Sequence, residues 1–173
     1  MIKRIFFIFI LLISSFSFSQ LSKEHYIPPI SSGRGNAVPI EQYIYISTPS
    51  QGDVNFTINT IGAASVSGVV SNANPFVHTI SEDGYSSFVQ DPATTSRVMS
   101  NKGFIVNADS PVYVSVRLNA GSYAQAGALV SKGENALGQT FRIGTYDSQR
   151  EGAPGDNYLN FFSFMATEDN STV

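Results

Sequence analysis

The residues best suited to chemistry in this chain are carboxylates in turn-like sequence. Asp53, Glu82, Asp83, Asp91, Asp109, Asp147, Asp156 and Asp169 all sit in such stretches. Two carboxyl groups facing across a cleft could hydrolyse a glycosidic bond, one protonating the leaving oxygen and the other activating water or attacking. Loop carboxylates also suit calcium, which takes hard oxygen ligands. Asp147, Asp156 and Asn157 bracket one loop, and Glu168, Asp169 and Asn170 form another. Neither has EF-hand spacing, and turn geometry alone explains Asp and Asn at such places. Asp147, Asp156, Glu168 and Asp169 are therefore calcium candidates only against that plainer reading, and no metal or cofactor is expected.

Nucleophilic chemistry finds less support. The chain has no G-x-S-x-G, H-E-x-x-H or P-loop motif. Gly84-Tyr85-Ser86-Ser87-Phe88 begins like a nucleophile elbow but lacks the second glycine. A Ser-His-Asp triad would need His25 or His78, the two histidines present. His78 alternates with Val77 and Thr79, which puts it on a sheet face. With no cysteine, thiol catalysis and thiolate metal sites are excluded. With no tryptophan, sugar stacking falls to the eight tyrosines. The expectation is that the chain is not an enzyme. Asn55-Phe56-Thr57 and Asn170-Ser171-Thr172 match the glycosylation sequon and are read as chance matches.

The elements that must position any site begin with an export signal. Lys3 and Arg4 precede an apolar run, Ile5 to Ile13, which is followed by small polar residues to Ser19. That order predicts a secretory signal peptide over 1–19, cleaved between Ser19 and Gln20. The run is too short to span a bilayer, and no membrane span is expected in the mature chain. Of the 10 basic residues, Lys3 and Arg4 leave with the signal; 8 then face 13 acidic ones, a net charge of −5. Such a chain is a poor ligand for nucleic acid or an anionic membrane. The expected location is extracellular or at a cell surface.

Residues 20–41 read as an extended leader. Pro28 and Pro29 hold it open, Ser31–Pro39 forms a loop, and Tyr26, Ile27 and Ile30 are its apolar side chains. From Gln42 the period becomes two. Tyr43 and Tyr45 oppose Ile44 and Ile46; Val54, Phe56 and Ile58 alternate with polar residues. Residues 63–70, 76–80, 86–89, 96–99 and 125–131 add short strands. The firmest strand is 112–119, with Val112, Val114, Val116 and Leu118 on one face, bounded by Pro111 and Gly121. One helical turn is expected at 134–137, and further strands at 140–146 and 159–166. The last is apolar on both faces, which predicts a central or doubly covered strand. No 3.6-residue period is sustained. About ten short strands with regular turn signals make an all-β fold, an antiparallel β-sandwich of jelly-roll-like or Ig-like type. The domain is placed at 42–173. Ser171-Thr172-Val173 begins a new β run, so the domain is expected to be truncated at that end.

Three stretches carry a family resemblance. They are Val112–Arg117 with Gln125–Gly133, Ala136-Leu137-Gly138 leading to Phe141-Arg142, and Phe164–Val173, whose Ala-Thr-Glu-Asp-Asn-Ser-Thr-Val run is the most specific. Together they resemble the N-terminal domain of IgGFc-binding-protein-like bacterial proteins. Those are long surface proteins of gliding bacteria, many ending in a gliding-motility-associated (type IX secretion, type B) sorting domain. The resemblance covers roughly 21–173. It implies an exported β module at the head of a multidomain surface protein and supplies no catalytic residues. No sorting domain lies within the chain.

The expected function is a non-enzymatic, exported module for adhesion or structural display, with a surface protein or glycan as partner. Ligand surfaces are expected on the long loops Ser31–Pro39 and Gln149–Asn157 and at Tyr123, with Tyr123, Asp156, Asn157 and Tyr158 as the candidate residues. Two alternatives stand beside it: a secreted carbohydrate-active hydrolase using two loop carboxylates, and a self-assembling subunit whose leader donates a strand to a neighbour.

Overall fold

The structure is a computed structural model that describes residues 20–32, 39–82, 84–95, 97–119, 126–144 and 162–172. The signal segment, Ser19 included, lies outside these, as do Tyr123, Asp147, Asp156, Asn157 and Tyr158. Gln20, the expected first mature residue, is an exposed bend two residues before the first strand.

Among the described residues the chain is all-β, in a large antiparallel sheet curled into a sandwich-like arrangement. Nine strands form: β1 (Ser22–Ile27), β2 (Ile30–Ser31), β3 (Glu41–Ser47), β4 (Val54–Thr60), β5 (Val66–Val70), β6 (Phe76–Ser81), β7 (Val89–Gln90), β8 (Phe104–Asn119) and β9 (Ala126–Val130). Two 3₁₀ turns, Pro92–Thr94 and Gly133–Ala136, complete the regular structure.

β8 organises everything. Its first half pairs antiparallel with both β1 and β4, so those two take opposite edges there; its second half pairs with both β3 and β9. β5 extends the first half beyond β4, and β6 extends the second half beyond β3. Even-numbered residues of β8 point inward along its whole length. Phe104, Val106, Val112, Val114 and Val116 are buried, and Ala108 and Leu118 pack against them. The two halves therefore share one inner face, and the curl brings β4 to β6: the Phe56 and Phe76 rings lie 4.8 Å apart. Ile44, Ile46, Val54 and Ile58 fill the rest of the layer. Burying each such side chain contributes about 1.5–3 kcal/mol.

The bend in β8 falls at Ala108–Pro111. β1 pairs Ser22 with Val112 and Glu24 with Asn107, so the register shifts across that stretch. Pro111 was expected to bound the strand; instead β8 runs through it. Proline is tolerated in a strand where ladder pairing is interrupted, and the bend is such a place. Side chains close it on both edges. Thr48 Oγ1 donates to the Pro111 carbonyl at 3.1 Å, and His25 fills the other edge.

The segment read as a leader is extended, but its first part is not separate from the sheets. β1 lies along the chain's own β8, and β2 pairs in parallel with β7. Ile27 and His25 are buried. Three other expectations differ. No strand forms among the described residues of 96–99 and 140–146, nor at 162–166 within the expected 159–166. A strand needs a partner edge. Here Phe162 is 64 % exposed, and Phe164 has the rings of Phe141 at 5.6 Å and Phe162 at 5.3 Å instead.

Candidate functional site

Antiparallel register decides which side chains meet on the outer face of the sheet. Tyr43 stands opposite Arg117, Tyr45 opposite Ser115 and Glu41 opposite Asn119. Across the other edge of β8, Arg117 faces Ala128 and Asn119 faces Ala126. Tall tyrosines on β3 therefore flank β8 on one side, while β9 offers only Ala126, Gly127 and Ala128 on the other. That step in height leaves an open groove of about 440 Å³ over β8.

The groove's polar groups are planar. The Arg117 guanidinium lies 4.7 Å from the centroid of the Tyr45 ring, a diagonal cross-strand neighbour. This is a cation–π contact. Tyr43 and Tyr45 meet edge to face with centroids 6.2 Å apart. Asn119 Nδ2 donates to Glu41 Oε2 at 3.0 Å. Desolvation, and to a lesser extent the Glu41 and Glu82 carboxylates, raises the Tyr43 phenol above its usual value. It stays protonated at neutral pH, able to donate and accept.

A second, smaller hollow of about 170 Å³ is lined by residues including Gln90, Arg97 and Lys102. Lys102 Nζ is already engaged by the Ser86 carbonyl at 3.2 Å.

Several of the chemistry-bearing residues named from sequence take structural roles, while Asp83 lies outside the described residues. Ser86 Oγ donates to Gln42 Oε1 at 2.6 Å and accepts from the Phe88 and Val89 amides at 2.9 and 3.0 Å. It pins the 84–90 loop. Asp91 Oδ1 accepts the Ala93 amide at 2.9 Å and starts a 3₁₀ turn; Asp109 Oδ2 accepts from Asn55 Nδ2 at 2.7 Å. Glu168 and Asp169 lie in an exposed turn, where Ser171 Oγ donates to the Glu168 carbonyl at 2.8 Å. Among the described residues no three His, Cys, Asp or Glu side chains gather in a metal-binding group.

His25 forms a Ser–His pair, its Nδ1 lying 2.9 Å from Ser131 Oγ. Its Nε2 faces two carbonyls, Val112 at 3.0 Å and Ser22 at 3.2 Å. Nε2 therefore carries the proton, and Nδ1 accepts from the Ser131 hydroxyl. Ser131 Oγ also accepts the Gly133 amide at 3.2 Å. His25 is fully buried, and neither hollow borders the pair. Burial holds its pKa below the usual 6.5, against an upward pull from the two carbonyls and Glu134. The arrangement is a satisfied internal network.

Sequence reasoning missed Tyr43, Tyr45 and Arg117 as a site. The signal was there in part: alternation places both tyrosines on one face of one strand and Arg117 on the polar face of another. What brings them together is the pairing of β3 with β8. No family model matches the chain, and searches of curated proteins and of solved structures found no significant match.

Proposed function

We propose that this chain is a non-enzymatic, exported module for adhesion or structural display at a cell surface. The observation that carries the reading is the solvent-open groove of Tyr43, Tyr45, Arg117, Asn119 and Glu41 on a rigid sheet. Aromatic and planar polar side chains held by paired strands make a surface for binding. A reaction needs more. Glycoside hydrolysis takes two carboxyl groups, and among the described lining residues Glu41 is the one carboxylate. Neither histidine borders the groove. The secretory pattern of 1–19 and the resemblance to IgGFc-binding-protein-like surface domains support the same reading.

The test is attachment. Cells lacking the gene are compared with the parent strain for binding to glass, to polysaccharide films and to neighbouring cells. Antibody labelling of intact cells locates the product. Reduced attachment with surface labelling is expected. Unchanged attachment on every substrate, or a product confined to the cytoplasm, overturns the proposal.

A further inference from the structure

We propose that the groove over β8 binds a neutral glycan, a short stretch of uncharged hexose units lying against Tyr43 and Tyr45. The inference rests on the display reading above and specifies the ligand of that surface. Three observations select this class. First, the site lies on a sheet face where β8 is paired along both edges, by β3 and β9. No β8 backbone groups are left there to take up a peptide strand, and among the described residues the unpaired outer edge of β9 lies one strand further from Tyr43 and Tyr45, so recognition over β8 itself falls to side chains. Second, those side chains combine aromatic rings with Arg117, Asn119 and Glu41. A sugar ring matches this pattern, with an apolar C–H face and a rim of hydroxyls that both donate and accept. An apolar protein partner would take the Arg117 cation and the Glu41 carboxylate out of water and offer neither a polar group in exchange. Third, the groove's formal charges cancel, Arg117 against Glu41, within a mature chain expected to carry −5. A polyanion gains nothing there and meets the overall negative field.

The experiment is affinity gel electrophoresis of the mature chain through gels holding laminarin, galactomannan or hydroxyethylcellulose, with alginate as the acidic comparison. At least one neutral polymer should slow migration while alginate does not. Tyr45→Ala and Arg117→Met should each weaken retardation roughly tenfold, the ratio that about 1.4 kcal/mol represents. Val69→Thr, at an exposed position on β5 away from the groove, should leave it unchanged. Each variant is first checked for an unchanged far-ultraviolet spectrum. Arg117→Met keeps the test valid if Tyr45→Ala unfolds, because Arg117 is exposed. Retardation by alginate alone, by no neutral polymer, or equally in wild type and Arg117→Met overturns the inference. If attachment depends on the gene yet no neutral polymer retards the protein, the glycan is excluded and the display reading survives. Loss of both removes both.

Discussion

His25 Nε2 donates to the carbonyl oxygen of Val112 at 3.0 Å, across the point where β8 passes from one half of the sandwich to the other. That carbonyl sits where the pairing of β1 with β8 changes register. A buried carbonyl without a partner costs about 1–3 kcal/mol, so the histidine offsets a penalty that the bend creates. Ser131 holds the other ring nitrogen and thereby ties the β9 end to β1. The position is set by folding, since the two partners lie 87 and 106 residues away in sequence.

Stability should fall with acid below pH 6.5. Burial depresses the folded-state pKa of His25. The unfolded chain therefore takes up a proton near 6.5, while the folded chain does so only at lower pH. Between those values the unfolded state binds more protons, and unfolding free energy drops as pH falls; above 6.5 this group gives no slope. His78 is depressed in the same direction by desolvation. Urea midpoints of wild type, His78→Gln and His25→Gln in neutral and mildly acidic buffer separate the two. His78→Gln should keep part of the acid loss. His25→Gln should be about 1–3 kcal/mol less stable at neutral pH and flatter in acid. A wild-type midpoint independent of pH between 7.5 and 5 contradicts the assignment.

Gly133→Ala should be strongly destabilising. Gly133 has φ of +55°, and a Cβ there would lie 2.2 Å from Ser22 Cβ and 2.8 Å from the Glu24 carbonyl oxygen. The left-handed backbone alone costs about 1–2 kcal/mol for an L residue, and the clash must move β1 or the 3₁₀ turn. Gly52→Ala meets nothing within 4 Å and should stay within about 0.5 kcal/mol of wild type. Equal thermal midpoints for the two variants would show that the turn does not press on β1.

How far the fold was legible follows from how local each signal is. Alternation over 112–119 needs only neighbouring residues, and it marked the inner face of β8 correctly. The same strand was cut short at Pro111, because the proline's tolerance depends on an interruption in pairing with β1, far away in the chain. Residues 20–31 looked extended because Pro28 and Pro29 are local; that β1 lies against Phe104–Asn107 is not. The groove suffered most. Alternation puts Tyr43 and Tyr45 on one face of their strand and Arg117 on the polar face of another, yet their meeting depends on the register between β3 and β8. Asp91 and Asp109 stand out in the sequence by type alone; Asp109, expected in a turn, lies inside β8, and the two carboxylates serve a local turn and a cross-strand bond.

Ser86→Ala should cost stability and remove no hydrolytic activity. Its hydroxyl is the donor to buried Gln42 Oε1 and the acceptor for two loop amides. Losing it leaves those groups short of a partner, for about 1–3 kcal/mol. A fluorophosphonate probe, which labels activated serines, should leave wild-type Ser86 unmodified because no histidine is hydrogen-bonded to it. Stoichiometric labelling at Ser86 by mass spectrometry would revive a nucleophile reading of the Gly84–Phe88 stretch.

The Arg117–Tyr45 contact should contribute modestly to stability on its own. Exposed cation–π pairs are worth about 0.5–1 kcal/mol, and Arg117 is exposed on one side of the ring. A double-mutant cycle with Arg117→Met and Tyr45→Leu isolates that coupling from the loss of ring burial. Methionine keeps the stem and removes the charge; leucine keeps apolar cover and removes the π face. Coupling of about 0.5–1 kcal/mol should shrink little in moderate salt, because the guanidinium is held over the ring at short range rather than attracted across a Debye length. A coupling energy of zero would mean that the arginine does not rest on Tyr45 in solution. The groove would then lose the fixed donor that faces its tyrosine wall.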